Sequence, residues 1–293
     1  MNVQACVEQS CSMFEDAGLY YGHGTDNPWD EAVYLVFTVL GLPFGDDDSS
    51  QQAVAQRQVT TAEWQRIETL ARRRCDERLP MAYVLGEAWF AGLPFYVDER
   101  VLVPRSPIAE LILQQYQPLL SAPPSRVLDL CTGSGCIGIA TALVFPEARV
   151  DLADISADAL AVAQQNIIRH GLQDRVRIVC SDLFADVSGA YDLIVSNPPY
   201  VSAEEVAELP PEYQREPALG LLSDEDGLAI PLQILRQASK HLTPAGVLVL
   251  ELGFTWSLLD QRYPQWPVTW LEFDSGGEGV LAIARDALIR AER

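Results

Sequence analysis

Hydrophobic and polar positions follow two different periods along the second half of the chain. Short apolar runs alternate there with longer segments in which apolar residues recur at helical spacing. The predicted strands cover residues 127–130, 150–153, 176–180, 192–196 and 247–252, and the predicted helices cover residues 137–145, 157–170 and 228–242. Strands that alternate with helices in this way form a parallel sheet with crossover helices on both faces. The pattern therefore predicts an α/β fold for this half.

The end of the chain departs from that alternation. Residues 268–273 and 280–284 are two extended apolar segments on either side of a glycine-rich turn. Such a pair is typical of two antiparallel strands. We therefore expect an antiparallel hairpin at the end of the chain.

The first hundred residues predict helices that are joined by polar loops. Asn27 before Pro28 supplies a cap and a preset first helical residue. Thr60 and Glu63 form a capping-box pattern at the start of a second helix. The polar residues 45–58 between these helices predict a solvated loop.

Changes of pattern divide the chain into three parts. Residues 87–105 are short extended segments separated by turns, which predict a hairpin, and residues 107–116 predict a helix. A proline-rich segment at residues 121–125 then precedes the alternating region. We therefore predict a helical domain over residues 1–85, a hairpin with a linker helix over residues 86–122, and an α/β domain over residues 123–293.

Composition limits the partners of the protein. Its 293 residues are 48% hydrophobic, which is enough for a large core, and its longest apolar stretch, residues 32–44, is too short to span a membrane. The net charge of −21 disfavours a direct nucleic-acid substrate, because an acidic surface repels phosphate groups and attracts basic macromolecules. The six cysteines lack Cys-x-x-Cys spacing, so we expect a reducing cytoplasm and no structural zinc. The arginine run at residues 72–74 is expected to face water.

A glycine-rich segment stands where the first strand of the α/β domain leads into a helix. Its sequence over residues 129–138 is Asp-Leu-Cys-Thr-Gly-Ser-Gly-Cys-Ile-Gly. Glycines at such a turn let the backbone approach a ligand closely. Asp154 ends the next strand, where a carboxylate can accept hydrogen bonds from both hydroxyls of a ribose. These features predict a nucleotide-type cofactor, and the G-x-G-x-x-G match keeps a nicotinamide dehydrogenase open as a rival.

Two further features favour S-adenosylmethionine over a dinucleotide. Asp129 places a carboxylate beside the loop, where it would attract the ammonium group of a methionine moiety and oppose a pyrophosphate. After the third strand, Asp182 is positioned to accept from an adenine amino group while Leu183 packs on the ring. The predicted cofactor-binding residues are Asp129, Cys131, Thr132, Gly133, Ser134, Gly135, Asp154, Asp182, Leu183 and Asn197.

The sequence Asn197-Pro198-Pro199-Tyr200 follows the fourth strand directly. An amide nitrogen is a poor nucleophile because its lone pair is delocalised into the carbonyl group, so it must be held in line with the methyl donor. The side-chain oxygen of Asn197 and the carbonyl of Pro198 can each accept one amide hydrogen. The two prolines stiffen the loop, and Tyr200 offers a flat face to a planar group. We therefore predict these four residues as catalytic residues for methyl transfer to a planar amide or amino nitrogen.

Several motifs resemble those of the bacterial protein-(glutamine-N5) methyltransferases across nearly the whole chain. They are Leu-Asp-Leu-Cys-Thr-Gly-Ser-Gly at residues 128–135, Ser-Asp at 181–182, Asn-Pro-Pro-Tyr at 197–200 and Arg-Glu-Pro at 215–217, with Tyr-Val-Leu-Gly at 83–86, Phe-x-Gly at 90–92 and Val-Leu-Val-Pro-Arg at 101–105. Asn-Pro-Pro-Tyr alone is also shared with adenine-N6 methyltransferases. The resemblance implies a Rossmann-like class I S-adenosylmethionine methyltransferase fold. Its seven-stranded mixed sheet has an antiparallel last strand, and a small helical N-terminal domain engages the protein substrate.

Differences among the branches of this family bear on the substrate. Residues 21–31, Tyr-Gly-His-Gly-Thr-Asp-Asn-Pro-Trp-Asp-Glu, resemble the branch that modifies the third protein of the large ribosomal subunit, which implies a basic ribosomal protein as partner. Residues 104–110 depart from the Pro-Arg-Pro-Glu-Thr-Glu of the release-factor branch, and Leu-Leu-Ser at 221–223 departs from the glycine-rich version in relatives. Three alternatives stay open: a release-factor glutamine methyltransferase, a nucleic-acid adenine-N6 methyltransferase and a non-catalytic cofactor-binding assembly factor.

Overall fold

The computed structural model describes residues 1–44 and 48–291 and divides into two compact units. One unit, called here the helical unit, contains Met1–Ala88 and Pro210–Arg215. The other, called here the sheet unit, contains Trp89–Leu209 and the chain from Glu216 onward. The short segment Pro210–Arg215 thus belongs to the helical unit, although it follows the Asn-Pro-Pro-Tyr sequence along the chain.

The helical unit is built from helices whose starts follow the capping residues of the sequence. The helices are α1 (Val3–Asp16), α2 (Pro28–Leu40), α3 (Asp48–Gln56), α4 (Thr61–Glu77) and α5 (Met81–Leu85). Asn27 accepts from the Asp30 amide at the start of α2, and Thr60 and Glu63 form both bonds of the capping box at the start of α4, so these two predicted starts are confirmed.

Two local predictions for this unit are wrong. Residues 48–56 form α3 where a loop was expected, because alanine and glutamine are good helix formers even in a polar segment; residues 45–47 lie outside the described residues. Arg72 and Arg73 are exposed as expected, but Arg74 is 1% exposed. Successive helix residues are rotated by about 100° from one another, so three in a row cannot share one face.

Buried Arg74 holds a network of acids in the helical unit. Its Nε donates to Glu31 at 2.6 Å, its Nη2 donates to the Tyr20 carbonyl at 2.9 Å, and its Nη1 lies 3.5 Å from Glu212. Glu212 is fully buried and also pairs with Arg78 at 2.8 Å. The network therefore fixes both ends of the segment from Tyr20 to Glu31.

A two-stranded sheet and a short helix precede the α/β region, as predicted. The strands are β1 (Ala88–Phe90) and β2 (Leu93–Phe95), and the helix is α6 (Ile108–Leu113). Beyond them the strands are β3 (Arg126–Leu130), β4 (Arg149–Asp154), β5 (Val176–Cys180), β6 (Tyr191–Ser196), β7 (Leu242–Glu251), β8 (Thr269–Trp270) and β9 (Val280–Ala284). The helices are α7 (Cys136–Val144), α8 (Ala157–Arg169), α9 (Ala203–Glu208), α10 (Ala229–Ala238), α11 (Trp256–Arg262) and α12 (Arg285–Ala291).

These strands form one seven-stranded sheet in the order β5-β4-β3-β6-β7-β9-β8. The first five strands in that order are parallel to one another, and β9 is antiparallel to both β7 and β8. The expected mixed sheet and the terminal hairpin are therefore confirmed. From β3 the chain adds β4 and then β5 on one side of β3, and it then crosses over to place β6 on the other side of β3. Open α/β sheets bind ligands at the point where the strand order reverses in this way.

Both faces of the sheet are covered. Val127 belongs to a buried apolar cluster that includes Ile139 of α7 and Ala163 of α8, whereas its neighbour Leu128 belongs to a cluster on the other face that includes Leu235 of α10. This alternation explains why β3 is apolar at successive positions, since both sides of a central strand are buried. None of the helices in the described ranges is long and apolar enough to cross a membrane.

Candidate active site

One cavity lies at the carboxyl ends of β3, β4, β5 and β6 in the sheet unit. The predicted site residues that line it are Cys131, Thr132, Gly133, Ser134, Asp154, Asp182, Leu183, Asn197 and Pro199. Asp129, Gly135, Pro198 and Tyr200 are not among the lining residues. The structure thus brings four separate sequence segments to one place, and the other four residues are adjacent to these segments along the chain.

The glycine-rich loop between β3 and α7 has the backbone conformation that glycine favours. Gly133 has φ +54° and Gly135 has φ +82°. A β-carbon on Gly135 would lie 3.0 Å from the side chain of Ile139 and 3.1 Å from that of Leu152, so the turn is tightly packed on its inner side. At Gly133, which lines the cavity, an added β-carbon would meet no protein atom within 4 Å, and its positive φ favours glycine there.

Asp129 supports this loop from beneath. Its Oδ2 accepts from the Thr132 hydroxyl at 2.6 Å and from the Gly138 amide at 2.9 Å, which ties the two ends of the loop to β3. The carboxyl group is 1% exposed, and this burial raises its pKa to about 7. The carboxyl group of Asp129 is therefore held inside the protein, and the hydrogen bonds of its Oδ2 go to the loop.

Asp154 connects the end of β4 to the same loop. Its Oδ2 accepts from the Gly133 amide and its Oδ1 accepts from the Ser156 amide, both at 2.9 Å. Burial raises the pKa of this carboxyl group and outweighs the backbone amide donors, which lower it. Because each carboxylate oxygen has two lone pairs, Asp154 can still accept hydrogen bonds from a ligand in the cavity.

Asp182 and Leu183 form the turn after β5. Asp182 is exposed, and Leu183 has φ +48°, an unusual conformation for a leucine. The hydroxyl of Ser181 holds this turn, because it donates to the Leu183 carbonyl at 2.7 Å and accepts from the Asp186 amide at 2.9 Å. The turn presents one carboxylate and one apolar side chain to the cavity.

The Asn-Pro-Pro-Tyr loop begins directly after β6. The hydroxyl of Ser196 donates to the Leu130 carbonyl at 2.7 Å and so ties the start of the loop to β3. Asn197 is half-buried at the cavity wall, whereas Pro198 is buried behind it. Tyr200 is turned toward β7, where its hydroxyl donates to Glu251 at 3.1 Å. The loop therefore extends from the cavity to the end of β7.

Sequence reasoning missed three residues around this loop. Glu251, at the end of β7, accepts from Tyr200 and from the hydroxyl of Ser106, and Arg105 lines the cavity and pairs with Glu216. The rule that ligands bind at the carboxyl ends of parallel strands could have found Glu251. Arg105 and Glu216 each stand in a motif that carries the family resemblance, but their pairing has no local signal.

Comparisons with known proteins agree with this architecture. A family model described as the methyltransferase small domain matches residues 109–209. The hMettl16 catalytic domain, solved in complex with MAT2A 3'UTR hairpin 6, is 19% identical to this chain. The match covers 77% of this chain and 82% of the hMettl16 chain, with a TM-score of 0.53. In complex with hairpin 1, the corresponding values are 18%, 80% and 84%, with a TM-score of 0.51. At this identity the likeness concerns the fold alone.

Two relatives match over almost the whole chain. A protein of Francisella tularensis is 45% identical over 287 residues, which cover 97% of this chain and 90% of the relative. A protein of Neisseria gonorrhoeae is 45% identical over 284 residues, which cover 96% of this chain and 93% of the relative. Both carry the name ribosomal protein uL3 glutamine methyltransferase. With this identity over nearly its full length, the chain belongs to the family of the ribosomal protein uL3 glutamine methyltransferases.

Proposed function

We propose that this protein transfers a methyl group from S-adenosylmethionine to the side-chain amide nitrogen of a glutamine in ribosomal protein uL3. The observation that carries the proposal is that Asn197 and Pro199 line the same cavity as the glycine-rich loop and Asp154. The Asn197 side chain, which has an oxygen that can accept from an amide, therefore lies in the same cavity as the glycine-rich loop. The names of the two relatives support the choice of uL3 as the protein that carries the glutamine.

The residues around the cavity fit S-adenosylmethionine. Asp154 would accept from the ribose hydroxyls, Asp182 from the adenine amino group, and Leu183 would pack on the adenine ring. Asp129 would hold the loop through its Oδ2, which is occupied by Thr132 and Gly138, while its buried Oδ1 has no hydrogen-bond partner among the described residues. When bound, the cofactor supplies an electrophilic methyl group on a sulfonium. This carboxylate-rich arrangement favours a cationic ligand over the pyrophosphate of a dinucleotide.

The Asn-Pro-Pro-Tyr loop, called here the acceptor loop, would orient the glutamine amide. The side-chain oxygen of Asn197 and the carbonyl of Pro198 each accept one amide hydrogen, which aims the nitrogen and stabilises the positive charge that develops on it. The two prolines keep these acceptors in place before the substrate arrives, so little entropy is lost when it binds. Tyr200 provides a flat wall for the planar amide.

The proposal assigns recognition of uL3 to the helical domain over residues 1–85. Tyr20 and Trp29 are each 46% exposed and Phe44 is 52% exposed, so this unit presents several large apolar side chains to its surroundings. The net charge of −21 favours a basic ribosomal protein over a nucleic acid or an anionic membrane. The proposal places this reaction in the cytoplasm, since its substrate is a ribosomal protein.

The test is methylation of purified uL3 by the purified protein, with the modified residue located by mass spectrometry. We expect one methyl group on one glutamine, and none when that glutamine is replaced by glutamate. A release factor and an adenine-containing oligonucleotide serve as competing substrates in the same assay. Faster methylation of either one, or cofactor binding without transfer to any of the three, would contradict the proposal in favour of the corresponding alternative.

A further inference from the structure

Tyr200 is enclosed by residues that the proposed reaction does not use directly. Its hydroxyl donates to Oε1 of Glu251 at 3.1 Å, and the hydroxyl of Ser106 donates to Oε2 of the same carboxylate. Ser106 follows the cavity-lining Arg105 and also accepts from the Ile108 amide at 3.1 Å, which fixes its own position at the start of α6. Glu251 therefore links the Asn-Pro-Pro-Tyr loop to Arg105 and Ser106, which line the cavity.

Two glycines hold the remaining sides of Tyr200. Gly253, with φ +49°, packs against its ring, and a β-carbon there would lie 2.6 Å from ring atom Cε2. Gly227, with φ +88°, packs against its backbone, and a β-carbon there would lie 2.1 Å from the Tyr200 carbonyl oxygen. Its ring and its backbone are both in close contact, and the bond to Glu251 holds the tip of the Tyr200 side chain.

The carboxylate of Glu251 is an unusual group to find at this place. It is 4% exposed, and a buried carboxylate lowers stability unless hydrogen bonds and charges compensate for the lost water. The groups that face it are the hydroxyls of Ser106 and Tyr200 and the more distant charge of Arg105, and burial outweighs all three, so its pKa is raised to about 7. A side chain that costs stability in this way is more often kept for a function than for the fold.

We propose that Glu251 is a positioning residue for methyl transfer, which fixes the ring of Tyr200 as a wall of the acceptor site by binding the Tyr200 and Ser106 hydroxyls. This inference rests on the proposed function. Without the bond at its hydroxyl the Tyr200 ring can shift against Gly253, and a small misplacement of the amide that it positions reduces the rate of methyl transfer steeply. Glu251 does not line the cofactor-type cavity, so its loss should leave cofactor binding intact.

The matched variants are Glu251→Met, which keeps the length of the side chain but cannot hold both hydroxyls, and Glu251→Gln, which can still accept from Tyr200 and donate to Ser106. We expect Glu251→Met to lower kcat by roughly 10- to 30-fold while the Kd for S-adenosylmethionine stays within about twofold of the native value. Glu251→Gln should retain most of the native kcat. If Glu251 had a purely structural role, Glu251→Met and Glu251→Gln would have the same kcat whenever their affinities for S-adenosylmethionine are equal.

A double-mutant cycle with Tyr200→Phe tests the partner. Because both changes break the same hydrogen bond, the combined variant should lose little more kcat than the more damaging single variant. If Glu251→Met does not fold, Glu251→Leu replaces it in the cycle with the same expectation. If the losses of kcat in the two single variants multiply in the combined variant, the assignment of Glu251 is overturned. A kcat of Glu251→Gln as low as that of Glu251→Met would overturn it as well. Native protein that leaves uL3 unmethylated would instead refute the proposed function.

Discussion

Arg105 and Glu216 form a two-bond ion pair in which Nη1 donates to Oε1 at 2.7 Å and Nη2 donates to Oε2 at 2.6 Å. Glu216 is fully buried on its side-chain surface, and its Oε1 also accepts from the Val103 amide at 2.9 Å. Two sequence motifs that lie 111 residues apart are thereby joined at the rim of the cavity. The pair holds the segment from Val103 to Arg105 against the chain that follows the acceptor loop.

The first prediction concerns this pair. Arg105→Gln should lower the free energy of unfolding by about 2 to 4 kcal/mol, because Glu216 would stay buried without its guanidinium partner. Urea unfolding measures the change. The matched control is Arg262→Gln, since Arg262 pairs with Asp226 on the surface, where such a loss is expected to be below about 1 kcal/mol. Equal losses in the two variants would show that burial of Glu216 does not control the stability of this segment.

The second prediction concerns cofactor affinity. Asp154→Ala should weaken S-adenosylmethionine binding by roughly 1.5 to 3 kcal/mol, because bonds to the ribose are lost and the Gly133 amide loses its acceptor. Isothermal titration calorimetry checks this value. Asp158→Ala is the control, since Asp158 is an exposed acid at the start of the neighbouring helix and removes the same charge. If both variants bind like the native protein, Asp154 is not a ribose ligand.

The periodic part of this fold was predictable because it is encoded locally. In a buried parallel sheet a central strand is apolar on both faces, so β3 could be placed within one residue of its observed bounds, Arg126–Leu130, from sequence alone. The rule for carboxyl strand ends likewise brought Asp154 and Asp182 to the same cavity as Asn197.

What remained hidden depends on residues that are distant along the chain. Glu251 and Tyr200 are 51 positions apart, and Arg74 lies 138 positions from Glu212, so no short-range pattern marks either pair. Arg74 also shows that a run of charges on a helix does not reveal which member turns toward the interior. Burial of a charge becomes visible only when its partners are known.

The third prediction separates transfer from cofactor binding. Asn197→Ala should lower single-turnover methylation of uL3 by at least about 100-fold, because Asn197 supplies one of the two acceptors that orient the amide. The Kd for S-adenosylmethionine should change much less, since Asn197 is one of many residues at the cavity wall. Rapid-quench kinetics at saturating uL3 and calorimetry measure the two quantities. Near-native turnover in this variant would rule out the proposed role of Asn197.

The fourth prediction is a pH dependence of stability. The pKa of Glu251 is raised from its usual 4.5 to about 7, so the folded state holds this proton more tightly than the unfolded state. The resulting stabilisation is complete below pH 4.5 and is lost as the pH rises toward 7. Glu251→Gln cannot titrate, so its free energy of unfolding relative to the native protein should increase across that window and then level off. A constant difference from pH 4.5 to 8 would mean that Glu251 has an ordinary pKa.

The last prediction concerns how uL3 is recognised. A glutamine side chain is the same in every protein, so the loop that contains Asn197 cannot choose the substrate. Trp29 is 46% exposed at the start of α2, within residues 21–31 that resemble the ribosomal branch, although its burial against the helix was equally consistent with the sequence. Trp29→Ala should therefore raise the KM for intact uL3 by about tenfold, as loss of an aromatic contact residue does at other interfaces.

The substrate itself supplies the internal control for that variant. A short peptide around the target glutamine reaches the acceptor site without the rest of uL3, so Trp29→Ala should methylate the peptide at the native rate. Trp89→Ala is the matched variant, because Trp89 is 48% exposed but lies in β1, outside the proposed recognition segment, and it should leave the KM for uL3 unchanged. Association with intact uL3 should also slow as salt is added, since screening weakens the attraction between an acidic enzyme and a basic protein. If Trp29→Ala and Trp89→Ala raise the KM for uL3 equally, recognition does not depend on residues 21–31.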